Sequence, residues 1–199
     1  MARRAIVAFA FVLLTFLLTS PVLAQSRSVF WERWDVVIDN MDTTTNRFDV
    51  AEIYVVNFTG TFRFGTAVIP LERIEGIRNF RVYENDQPMR ETCTEQPGTF
   101  CAQYQEDEVS VRYEFFQPIT NGSSEFRLEY TVIGALRVYQ GGDQLWWTAI
   151  PAEHFGFPIL SSQITVQLPP GYAPREGIDP IATYGTRSEI GVNGWRWIF

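Results

Sequence analysis

The feature that most narrows the fold is a period-two alternation of apolar side chains. Between Glu108 and Phe116, Val109, Val111, Tyr113 and Phe115 fall on one face and Ser110, Arg112 and Glu114 on the other. Successive side chains of an extended strand point to opposite faces, so this pattern predicts a strand half buried against a core. The alternation resumes as Phe126, Leu128, Tyr130 and Val132 against Arg127, Glu129 and Thr131. The stretch Gln117–Ser124 between them carries Pro118 and Asn121-Gly122 and reads as a loop, so the two strands are expected to form a hairpin. The same period marks Trp34, Val36 and Ile38, then Phe48, Val50, Tyr54 and Val56, then Phe62 and Phe64, Phe80 and Val82, Ile164, Val166 and Leu168, and Trp195, Trp197 and Phe199.

Beyond the N-terminus no segment places apolar residues at helical spacing behind a capping box, and Gly or Pro interrupts the chain about every dozen residues. The expected fold is therefore all-β: an antiparallel β-sandwich, immunoglobulin-like in general architecture, formed by a single domain over residues 25–199.

The first two dozen residues differ. Arg3 and Arg4 precede an apolar run from Ala5 to Leu18, followed by Pro21 and Val22-Leu23-Ala24. The run is short of the roughly 20 residues that span a bilayer, and small residues close it, so residues 1–24 read as a secretory signal peptide cleaved after Ala24. Export sharpens the reading of Cys93 and Cys101, the two cysteines of the chain. Pro97-Gly98 between them signals a turn that brings the thiols together, and an oxidising compartment would join them as a structural disulfide. Their spacing matches neither a redox Cys-x-x-Cys pair nor a metal site.

Composition removes several chemistries. All 16 basic side chains are Arg, so no Lys is present to form a Schiff base or reach a phosphate. With one histidine, His154, multi-histidine metal sites are excluded, and a formal net charge of −7 argues against a nucleic-acid partner. Asp35, Asp39, Asp42, Asp49 and Glu52 could supply oxygen ligands to a hard cation, but they lack calcium-loop spacing and read as solvated positions on strands. Glu106-Asp107-Glu108 reads as a solvated loop edge. A glycosidase would need two carboxylates facing across a cleft, which sequence does not display. Glu153-His154 joins a carboxylate to an imidazole, yet neighbours on a strand point apart. No catalytic, cofactor or metal residues are assigned. Trp146-Trp147 puts one indole on each face of a strand, so one of the two is expected outside, as an interaction patch.

Four stretches then stand out in order: Trp31–Ile38 with Phe48–Glu52; Phe58–Gly65 running to Leu71 and Ile77; Glu125–Arg137; and Gly142–Trp147 with Phe157-Pro158-Ile159 and Val166–Gly171. Together they resemble the N-terminal extracytoplasmic domain of the bacterial predicted membrane proteins grouped as domain of unknown function 2207, over essentially the whole mature chain. The resemblance implies a β-rich exported domain followed by membrane helices and no assigned enzymatic activity. Asp42–Asn46 replaces the Asp-Gly turn usual there between the first two strands. Membrane attachment is expected through segments beyond residue 199. The expected role is a non-catalytic interaction or envelope-associated module at the outer face of the cell membrane or secreted. Its partner would be an unidentified protein or an envelope polymer, and no nucleic acid. A carbohydrate-binding module is the near alternative, and a secreted hydrolase using paired carboxylates the distant one.

Overall fold

A computed structural model of the chain describes residues 27–151, 156–173, 191–193 and 196–198. The proposed leader, Glu153-His154, Trp195 and Phe199 lie outside the described residues. Every regular element among the described residues is a strand. They are β1 (Ser28–Asp42), β2 (Arg47–Pro70), β3 (Gly76–Glu84), β4 (Gln87–Pro88), β5 (Arg90–Glu91) and β6 (Thr99–Tyr104), then β7 (Glu108–Ile133), β8 (Leu136–Arg137), β9 (Gln144–Leu145), β10 (Ile164–Gln167), β11 (Gly191–Asn193) and β12 (Arg196–Ile198). No helix long and apolar enough to cross a membrane occurs among the described residues.

Two long strands organise the molecule. The main sheet runs β11-β12-β10-β1-β2-β7-β3-β4, and β6, carrying β5, pairs with β7. β1 covers only the first half of β2, ending at Ser28 opposite Thr59, and β3 covers only the second half of β7, reaching Glu84 opposite Phe126. The first half of β7 is paired instead with β6, from Phe100 opposite Tyr113 to Tyr104 opposite Val109. Most neighbours are antiparallel, as expected. The sheet is nonetheless mixed, because β1 pairs in parallel with β10 and β5 with β6.

The expected hairpin over 108–133 does not form. Those residues make one strand that pairs with β2 on both sides of a register break, and most of the segment read as a loop pairs with it, Phe62 opposite Ile119 and Val56 opposite Ser124. What Pro118 and Asn121-Gly122 mark is a fold in the sheet. Phe115 and Phe126 are eleven residues apart, about 36 Å along an extended strand, yet their rings stack with centroids 4.8 Å apart. The strand therefore doubles back, and the two halves of one sheet face each other as two layers.

Three devices make the corner. The β2–β7 register slips between Phe58 and Thr61 and again between Phe62 and Phe64, where β7 jumps from Ile119 to Glu114. Gly60 and Asn121 both adopt left-handed backbone, φ 89° and 48°, and the Gly60 N–H donates to Asn121 Oδ1 at 2.7 Å. The Phe116 N–H, next to this break, donates at 2.8 Å to the buried carboxylate of Glu84. Unpaired backbone donors inside a protein are costly, and Glu84 meets that need.

The core lies between the layers. It is built from the alternating residues read from the sequence, among them Phe48, Val50, Val109, Val111, Phe126 and Leu128, all 2% exposed or less. Asn85 and Asp86, both at positive φ, form the two-residue turn from β3 to β4 that suits a hairpin.

Candidate functional site

The disulfide expected from sequence is present: Cys93 and Cys101 are bonded across the turn that contains Gly98, φ 73°. A Cβ on Gly98 would lie 2.4 Å from the Phe116 ring, so glycine serves both the turn and the packing of the corner. Such a bond persists in an oxidising, non-cytoplasmic compartment.

The tandem tryptophans part company. Trp147 packs against the core, its ring 6.0 Å from Phe48 and 6.1 Å from Tyr130. Trp146 is 44% exposed, but the Arg73 guanidinium lies over its ring at 4.5 Å. Of the expected patch, Trp146 alone faces outward, and it is partly roofed.

The five acids expected to be solvated have different fates. Asp42 caps the β1–β2 turn, accepting from Thr44 N at 2.9 Å and from Thr45 Oγ1 at 2.6 Å, and these bonds hold its carboxyl below the ordinary value. Asp35 accepts from Gln163 N at 3.0 Å and pairs with Arg33 at 3.3 Å. Asp49 accepts from Thr131 Oγ1 at 2.7 Å and from Asn40 Nδ2 at 3.1 Å. With Asp39 it lines an open polar hollow of about 640 Å³ shared with Asn79, Arg81 and Glu129. No group of three or more potential metal ligands occurs among the described residues.

Glu52 overturns the surface reading. It is 3% exposed, in the inward row of β2 between Val50 and Tyr54. The Tyr54 hydroxyl donates to Oε2 at 2.5 Å and the Tyr130 hydroxyl donates to Oε1. Burial pushes the Glu52 carboxyl above its ordinary value while these donors pull the other way. The same burial, with Glu52 beside them, carries the Tyr54 and Tyr130 hydroxyls well above theirs. Glu84 is likewise raised by burial, opposed by the bonds from Phe116 and Ser124.

A groove at the corner has no counterpart in the sequence pattern. It encloses about 390 Å³ and is lined by Trp31, Phe58, Phe62, Phe64, Tyr113, Phe115 and Phe157, with Arg27 and Arg63 and no acidic residue. Phe58 and Phe115, one from each long strand, lie 5.6 Å apart at its floor, and Trp31 and Phe157 stand 5.9 Å apart. Gly65 shapes it: any Cβ there would come within 2.4 Å of the Tyr113 ring, which lies across β2 at this point. The rim is cationic. Arg27 sits 4.7 Å from the Phe62 centroid and donates to Thr61 O, and Arg112 covers Phe64 at 3.6 Å.

Fold and groove together define an all-β domain whose interior acids are bonded away and whose main apolar hollow is aromatic. The family model for the Predicted membrane protein (DUF2207) N-terminal domain matches residues 37–196, and the chain belongs to that family, whose function is unknown. A search of curated proteins gives no match. Among solved structures, an M1 zinc metallopeptidase from Deinococcus radiodurans is similar at 12% identity and TM-score 0.44, over 87% of this chain and 38% of that one. A candidate nutrient binding protein from Legionella pneumophila is similar at 14% identity and TM-score 0.47, over 86% of this chain and 62% of that one. The chain thus spans well under half the length of the metallopeptidase it matches.

Proposed function

We propose that this is the exported, non-catalytic binding domain of a membrane protein, and that the aromatic groove at the corner of the folded sheet is its contact surface. The observation that carries the reading is the separation of acids from hollow. Glu52 and Glu84, the carboxyls raised by burial, are engaged by tyrosine hydroxyl and backbone donors, and neither lines the groove. A hydrolase with paired carboxylates needs them convergent on an open cleft. An apolar hollow of this volume, lined by rings with a few polar groups at its edge, is what small-molecule and side-chain recognition uses. The apolar run before Ala24 and the disulfide support export.

Nile red, a neutral dye that brightens in apolar surroundings, tests the groove. Wild-type protein is expected to bind it near one to one. Phe157→Glu, which sets a charge at the mouth, is expected to weaken binding at least about tenfold, while Trp146→Ala leaves it unchanged. Loss of binding in Trp146→Ala with Phe157→Glu unaffected would move the contact surface to the Trp146 face.

A further inference from the structure

We infer that the groove takes a single-chain anionic amphiphile of fatty-acid type, its hydrocarbon among the rings and its carboxylate toward Arg27 and Arg63. The inference rests on the groove being the contact surface and adds the chemistry of its occupant.

Charge is the first argument. The protein carries 23 acidic and 16 basic side chains, yet the groove lining holds two guanidinium groups and no carboxylate. An electropositive hollow in an acidic molecule is a local exception, and it selects an anion over a cation. Neither Arg27 nor Arg63 has an ion pair among the described residues, whereas Arg112 nearby is already held by Glu114 at 2.6 Å. Arg63 owes its position to the register slip between Phe62 and Phe64, which takes it out of the ladder. Bulges re-aim side chains in this way beside binding sites.

Shape is the second. Trp31 with Phe157 and Phe58 with Phe115 supply the apolar lining, and Arg27 lies over Phe62, whose ring is 5.0 Å from that of Phe58. A chain with one charged end fits a lining of rings beside a guanidinium. The competing occupant is an extended peptide added to β2 beyond Thr59, where β1 no longer covers it. That edge is a poor template: its register is broken at Phe62, and the Thr61 carbonyl that an added strand would use is taken by Arg27.

The test uses the full exported chain with decanoate, decanol and decyltrimethylammonium below their micelle concentrations, read by calorimetry and by displacement of Nile red. Decanoate is expected to bind roughly tenfold more tightly than decanol, as one charge-assisted contact provides, and decyltrimethylammonium more weakly than either. Arg63→Gln and Arg27→Gln are expected to erase the preference for decanoate over decanol while decanol and the dye still bind. Equal affinity for decanoate and decanol in the wild type, or failure of all three while Nile red binds at the groove, overturns the anionic amphiphile and leaves the groove reading standing. If Nile red fails as well, both fall.

Discussion

Glu52 is the residue on which the interior chemistry turns. A carboxyl held in the core by two tyrosine hydroxyls resembles a catalytic acid in its raised pKa, but it has no solvent-facing side. Its effect is on stability. Below the ordinary value of 4.5 the carboxyl is protonated whether the chain is folded or not. As pH rises past that value the unfolded chain releases the proton while the folded one keeps it, so the group's contribution declines until the raised folded pKa is passed. Glu52→Gln keeps the hydrogen-bonding shape without the titration. Urea unfolding across pH is expected to show the wild type losing ground to Glu52→Gln from pH 4.5 upward, with the two parallel at higher pH. A constant difference across that range would contradict the assignment. The clue to Glu52 was in its phase: position 52 falls in step with Phe48, Val50, Tyr54 and Val56, and a charged side chain in an apolar row signals a partnered burial rather than a solvated face.

Among the elements, the folded pair β2–β7 decides the architecture. Gly60 and Asn121 act jointly, one supplying a backbone that tolerates positive φ and the other both a positive φ and a hydrogen-bond acceptor. Asn121→Gly retains the conformation and loses the acceptor, so it is expected to destabilise by about 1 kcal/mol. Asn121→Ala loses both and should cost about 2 kcal/mol or more. Indistinguishable unfolding of the two variants and the wild type would mean that the corner is held elsewhere. Strand positions were legible because alternation is local, and the disulfide was legible because Pro97-Gly98 lies inside an eight-residue separation. The corner was not. Pro118 and Asn121-Gly122 signal an interruption, but whether a chain turns into a hairpin or bends with its neighbour depends on β2, whose Gly60 lies 61 residues away.

At the scale of the whole molecule, folding one sheet on itself makes both the core and the groove. The groove draws on residues 27–31, 56–66, 113–115 and 157, segments that no sequence window joins, so alternation marks some of its rings strand by strand without showing that they meet. On the proposed reading this hollow, rather than the Trp146 face or the polar hollow around Asp49, is the contact surface. Hydrogen exchange, resolved by peptide in the presence and absence of saturating Nile red, distinguishes the three surfaces. Slowed exchange is expected in segments 27–31, 56–66 and 113–115 alone, whereas protection centred on Trp146 or on Asp39 to Asp49, with the corner unchanged, would place the contact surface elsewhere.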